Sequence, residues 1–241
     1  MLIIILKAIL FDLDGTLLPL NQATFEKTYF KKLSQALSLK GYETNAVLSG
    51  VMNGVFKMIN NTGETTNDDV FWNSFSSDLG EGIRDEEPYL ELFYKTEFQK
   101  IKEICGYNKT AVELVESLQE KNIKLVLATQ PVLPKIATES RLKWSGLKPE
   151  FFSLITTYDN SHYCKPNHKF YYEILKKINI LPEECLMVGN DVFDDMAAEN
   201  IGINVFLLTD NLINKHNVDI SKYPKGNFSD LRKYLENENI L

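Results

Sequence analysis

Two aspartates, Asp12 and Asp14, follow directly on the apolar run Ala8–Phe11 and precede a glycine, Gly15. In extended backbone side chains alternate, so the two carboxylates share one side while Leu13 points to the other. Like charges converging at the end of a buried strand repel each other unless a hard cation such as Mg2+ lies between them or one holds a proton. The bland reading of Asp-x-Asp is a solvated turn. A solvated turn has no need of so apolar a strand before it, and Gly15 supplies the turn that releases the chain.

The elements that must position these groups are of two kinds. From Thr110 onward helices (Val112, Val115, Leu118; residues 134–144; residues 169–178) alternate with short apolar runs at residues 124–128, 154–157, 185–188 and 204–208. Repeated βα units require a parallel sheet with helices on both faces, a doubly wound, Rossmann-like α/β core whose ligands sit beyond the carboxyl ends of the strands. Residues 1–6 read as the leading part of the first strand. Between the first two strands the spacing changes to that of helices: Phe25, Tyr29, Leu33 and Leu37; Val47, Val51, Val55 and Ile59; a third after Asn67 as N-cap; a fourth from about Pro88 through Leu90, Tyr94, Phe98 and Ile101. These predict a small α-helical bundle over residues 20–105, inserted into a core made of residues 1–19 and 106–241. Most of its apolar residues read as its own core; Asn53, Lys57 and Asn60 are polar candidates to face a site.

Bulk properties narrow the function. The chain has 241 residues, 44% of them hydrophobic and 24% charged, as in an ordinary globular protein. A formal net charge of −7 argues against nucleic-acid or anionic-membrane partners. Residues 21–103 carry nine Lys/Arg against thirteen Asp/Glu, so the bundle is no basic clamp. Cys105, Cys164 and Cys185 form no Cys-x-x-Cys pair, which points away from zinc and disulfides and toward a cytoplasmic setting. No apolar run approaches the ~20 residues of a membrane span.

Residues 11–17, Phe-Asp-Leu-Asp-Gly-Thr-Leu, resemble the first motif of the haloacid dehalogenase-like hydrolase superfamily in its phosphatase form. There the first Asp is a nucleophile and the second a general acid/base, which implies those roles for Asp12 and Asp14. Thr129-Gln130-Pro131 resembles the second motif, whose hydroxyl binds a phosphoryl oxygen; Gln130 adds at most a backbone N–H. Lys165-Pro166 resembles the third, with proline at the first position of a helix and the ammonium between nucleophile and phosphate. His162, a rival base, reads as a loop residue. Residues 187–196 resemble the fourth motif, but Asn190 stands where the family has Asp. Either Asn190 or Asp191 then supplies oxygen to Mg2+, and the extra charge favours Asp191. Asp195 is expected to orient Lys165 or a metal-bound water, and Asp194 to be solvated.

The resemblance covers residues 7–208 and implies a Mg2+-dependent phosphatase with a helical cap, acting on a small phosphorylated metabolite through an aspartyl-phosphate on Asp12. Mg2+ would be held by Asp12, the carbonyl of Asp14 and the Asn190/Asp191 pair. The amides of Leu13 and Asp14, with Thr129 and Lys165, would hold the phosphoryl oxygens. A phosphomutase on the same scaffold is the nearest rival; a metal-free dehalogenase and a non-catalytic phosphate sensor rank below it. Substrate and oligomeric state stay open.

Overall fold

The computed structural model describes residues 6–241. Its apolar runs form six parallel strands, β1 (Ala8–Phe11), β2 (Lys124–Leu127), β3 (Leu154–Ile155), β4 (Cys185–Gly189), β5 (Asn204–Leu208) and β6 (Lys225–Gly226). They lie in the order β3-β2-β1-β4-β5-β6, all pairs parallel. The chain winds outward from β1 through β2 to β3, then crosses to the other side for β4. The order of strand addition therefore reverses between β1 and β4, which is where such folds open a crevice. Of the expected leading strand at residues 1–6, residues 1–5 lie outside the described residues and Leu6 precedes β1. The third strand is shorter than its apolar run predicts, and the segment containing β6 and α8 (Phe228–Asn237) extends the core past residue 208.

Both faces of the sheet are buried, as unbroken apolar strands require. Alternate residues separate cleanly: Ile9, Phe11, Leu127 and Val188 enter one apolar cluster, and Leu10, Val126 and Met187 the other. Against the first face pack α5 (Lys109–Gln119), α6 (Lys135–Trp144) and α8; against the second packs α7 (His168–Ile178).

Residues 22–104 are helical without a strand: α1 (Gln22–Ser38), α2 (Thr44–Ile59), α3 (Asn67–Leu79) and α4 (Glu87–Lys95), with 3₁₀ turns at Glu81–Glu86 and Glu97–Ile104. Two expectations change here. The fourth helix stops at Lys95, because Thr96 turns its hydroxyl back onto Leu92 O and leaves helical geometry. The cap of α3 is Thr66, whose hydroxyl accepts from Asp69 N–H, whereas Asn67 is wholly buried. Asn67 instead ties the insert to the core: its amide N–H donates to Ser161 O (2.8 Å) and its side chain to Pro131 O (3.1 Å). The apolar cluster also crosses this junction without a break, joining Phe25, Tyr29, Val51 and Phe75 to the sheet.

Phe98 is the hinge of that shared core. It is fully buried, with ring centroids 5.0 Å from Trp144 on α6 and 5.8 Å from Tyr29 on α1. Phe98→Ala should remove about 3–5 kcal/mol in urea unfolding, in one transition for the whole chain. A variant that melts the helices separately while the sheet keeps its midpoint would contradict a continuous core.

Candidate active site

Strand register sets the site. Phe11 stands opposite both Leu127 and Val188, so Asp12, Ala128 and Gly189 come level, with Thr129 and Asn190 one residue beyond. Asp12 is buried and its N–H donates to Val188 O (2.9 Å). Lys165 arrives from the loop between β3 and α7 and is itself buried. Its ammonium donates to Asp12 Oδ1 (2.8 Å) and to Asp195 Oδ1 (2.6 Å). Burial works against that charge, but the two carboxylates outweigh it and hold the Lys165 pKa well above the lysine norm. The Lys165 backbone is fixed by Gln130, whose side chain accepts from Lys165 N–H (2.9 Å) and donates to Lys165 O (3.2 Å). Gln130 thus works through its side chain, contrary to expectation. Pro166 is not the first helical residue: the Lys165–Pro166 bond is cis, and α7 begins at His168 behind Asn167, whose side chain accepts from Lys169 N–H.

The loop after β4 folds back under this lysine. Asp195 Oδ2 accepts from Asp191 N–H (2.9 Å), and Gly189 makes room, since a Cβ there would lie 2.1 Å from that oxygen. Burial pushes the Asp195 carboxyl upward and Lys165 restrains it. Burial likewise raises Asp194, expected to be solvated, to about 6. Asn190 is buried against the first loop, its Oδ1 accepting from Thr16 Oγ1 (3.0 Å) and its Nδ2 donating to Asn211 O (2.6 Å). Gly15, at φ +81°, leaves space for it; a Cβ would stand 2.4 Å from Asn190 Nδ2. Asp191 Oδ1 is turned into its own loop, accepting from Phe193 and Asp194 N–H (2.8 and 3.0 Å). Of the two, Asn190 is the one packed on the Asp12–Gly15 turn. Thr129 is buried beside the site, and among the described residues neither its hydroxyl nor the amides of Leu13 and Asp14 have a protein partner.

Asp14 carries the largest surprise. Its Oδ2 is ion-paired with Nη1 of Arg141, a buried residue of α6. Burial raises the Asp14 pKa and Arg141 works against that rise. Sequence reading missed Arg141, although a signal existed: Ala137, Arg141 and Trp144 recur at i, i+4 and i+7, so a charge sits on an apolar helical face. Asp14 and Arg141 line a cavity of about 560 Å³ beneath the inserted helices, walled by Phe25, Tyr29, Trp72 and Tyr94. Asn53, Lys57 and Asn60 are outside it; Asn53 bonds Asp78 and Asn60 bonds Phe56 O. His162 is tied to Glu173 (2.8 Å), away from Asp12.

The donor set fits Mg2+. Asp12, the Asp14 carbonyl, Asn190 and Asp191 offer only oxygen, the ligand a hard cation prefers. Asp12 commits one oxygen to Lys165 and has no described partner for the other. Three carboxyl groups, Asp12, Asp14 and Asp195, already engage both cations, Lys165 and Arg141, so no cation of this cluster is left unpaired for a phosphate. A phosphate ester would be repelled from such a site without a further cation. Among the described residues no three His, Cys, Asp or Glu side chains gather as a metal cluster, so any Mg2+ shell here would draw on backbone, amide, water or phosphate oxygens as well.

Comparison with known proteins places the fold and the family. The family model described as haloacid dehalogenase-like hydrolase matches residues 9–208. The pyrophosphatase PpaX of Oceanobacillus iheyensis is 25% identical over 205 residues, 82% of this chain and 81% of that protein. PpaX of Bacillus cereus is 30% identical over 100 residues, which spans less than half of either, 42% of this chain and 45% of the relative. The HAD phosphatase from Thermococcus onnurineus superposes with TM-score 0.59 at 20% identity, over 95% of this chain and 98% of that one. The magnesium-bound HAD-hydrolase YfnB from Bacillus subtilis gives 0.54 at 17%, over 95% and 98%. At such identities the superpositions establish the fold.

The shared ammonium yields a test. Lys165→Met leaves Asp12 and Asp195 buried without their cation, so unfolding free energy at neutral pH should fall by about 3–5 kcal/mol. Asp195→Asn, which leaves the lysine with Asp12, should cost clearly less. Equal small losses in both would mean that the triad is not held as a unit.

Proposed function

This chain belongs to the haloacid dehalogenase-like hydrolase family, and we propose that within it the protein is a Mg2+-dependent phosphatase acting on a small phosphorylated metabolite. The observation that carries the proposal is the buried Lys165 ammonium between Asp12 and Asp195 at the β1/β4 switch point. It fixes the Asp12 side chain where a phosphoryl group can enter beyond the strand ends. Asp12 is the nucleophile, attacking phosphorus to form an aspartyl-phosphate that water then hydrolyses. Asp14 protonates the leaving oxygen and later deprotonates that water. Lys165, the Thr129 hydroxyl and the amides of Leu13 and Asp14 hold the phosphoryl oxygens; Gln130 and Asp195 position the lysine. Asp12, the Asp14 carbonyl and Asn190 or Asp191 would hold Mg2+, which neutralises phosphate charge when bound. Residues 20–105 act as a cap on a core of residues 1–19 and 106–241, excluding water from the leaving group. The magnesium-bound relative and the pyrophosphatase relatives support the cation and the phosphate chemistry. Three free cysteines support a reducing cytoplasmic setting, and no described helix is long and apolar enough to cross a membrane.

Asp12→Asn should keep the fold and abolish turnover of p-nitrophenyl phosphate, since an amide of nearly the same shape is a poor nucleophile. Survival of a tenth of wild-type kcat, a barrier change of only about 1.4 kcal/mol, would falsify covalent catalysis by Asp12. Chelation should silence the wild type and added Mg2+ restore it.

The packing of Asn190 against Gly15 and Thr16 favours it over Asp191 as the third oxygen donor. Asn190→Ala should then raise the Mg2+ concentration needed for half activity by about tenfold or more, and Asp191→Asn should raise it less. The opposite order in a Mg2+ titration assigns the oxygen to Asp191.

A further inference from the structure

The cavity beside Asp14 holds a cation that the hydrolysis just described does not use. Arg141 is 2% exposed and lines the cavity with Phe25, Tyr29, Trp72 and Tyr94. A guanidinium buried among rings is unfavourable unless its donors are taken up. Here the uptake is incomplete. Nη1 meets Asp14, Nη2 lies 3.4 Å from Thr138 Oγ1, a long hydrogen bond, and Nε has no partner. The Phe25 ring, 5.9 Å from the guanidinium carbon, attracts the charge but accepts little. Asp14 Oδ1 is likewise buried and unpartnered. Both residues line one cavity, Asp14 Oδ1 is the kind of group that meets a leaving oxygen, and the unused donors of Arg141 describe a receptor for a hydrogen-bond acceptor.

Position says what that ligand is. Asp14 is the group assigned to the leaving oxygen, so its ion-pair partner stands on the leaving-group side of the scissile bond. Charge neutralisation of Asp14 needs one donor of the five that arginine carries; a lysine would suffice. The planar fork matches two oxygens of a carboxylate or phosphate. We propose that Arg141 is a specificity-determining residue that receives an oxyanion carried on the leaving alcohol close to the scissile oxygen. The substrate class is then a phosphate monoester with a second anionic group, its carbon skeleton lying against the aromatic wall. This inference rests on the phosphatase reading above.

The test compares kcat/KM for three esters of one two-carbon skeleton: 2-phosphoglycolate, ethane-1,2-diol bisphosphate and 2-hydroxyethyl phosphate. Wild type, Arg141→Met and Arg141→Lys are assayed with Mg2+. The leaving alcohols are of similar acidity, so any change in Asp14 cancels in the ratio of charged to neutral ester. In the wild type the carboxylate or the phosphate ester should be favoured by about 10- to 100-fold, the worth of hydrogen bonds to a charged group. The favoured arm identifies the oxyanion. The ratio should fall toward one in Arg141→Met and part of the way in Arg141→Lys, which keeps a charge without the fork. A wild-type ratio near one, or a ratio that Arg141→Met leaves intact, overturns the inference while p-nitrophenyl phosphate turnover still upholds the phosphatase. Failure of the wild type to hydrolyse any ester overturns both. Should Arg141→Met not fold, an undiminished ratio in Arg141→Lys is the overturning result.

Discussion

One ammonium shared by two buried carboxylates organises this protein. Lys165, Asp12 and Asp195 come from the loop before α7, the end of β1 and the loop after β4, and each needs the others to be tolerable away from water. Much of the surrounding backbone serves that arrangement. Gly189 lacks a Cβ so that Asp195 can fold beneath the strand end, and the Gln130 side chain grips both backbone groups of Lys165. Buried ion pairs of this kind contribute little net stability compared with apolar packing, so their retention reflects what they hold in place. What they hold here is the Asp12 carboxyl group at the crevice between β1 and β4.

The same charges set what a phosphate would meet on entering the site. One lysine serves both Asp12 and Asp195, and the Arg141 charge is paired with Asp14. A phosphate approaching these carboxyl groups is repelled unless a further cation accompanies it, and the first-loop turn at Gly15 and Thr16 packs against the Asn190 side chain. The inserted helices act on the other side. They share one apolar cluster with the sheet through Phe98 and Trp144, and beneath them an aromatic-walled cavity opens onto Asp14. The apolar wall of that cavity strengthens the Asp14–Arg141 pair.

The parts of this picture that depend on neighbours along the chain were legible in the sequence. Period-two and period-3.6 patterns mark the strands and helices because burial of one face is a local property of spacing. The carboxylates after β1 and β4, the hydroxyl after β2 and the lysine before α7 stand out because polar groups at the ends of apolar strands must face the carboxyl edge of a parallel sheet. Even Gly15 is readable as a turn residue. Where several side chains compete for one local job, sequence reading erred: Thr66 and not Asn67 caps α3, Asn167 and not Pro166 opens α7, and Thr96 ends a helix that periodicity would continue.

Contacts between distant segments were decided only by tertiary structure. Asp14 meets Arg141 across 127 residues, Lys165 meets Asp12 across 153, and Thr16 meets Asn190 across 174. Resemblance to a family motif anticipated the second of these; spacing anticipated none. Arg141 was hidden because a charged residue on an apolar face is explained only by the partner that neutralises it, and the partner lies on another strand end. The side-chain role of Gln130 was hidden for the same reason, since an amide shows its bonds only once the loop it binds is in place. Periodicity in a chain reports which face is buried. Which buried groups then touch is set by sheet register, and that register exists only when the whole sheet has formed.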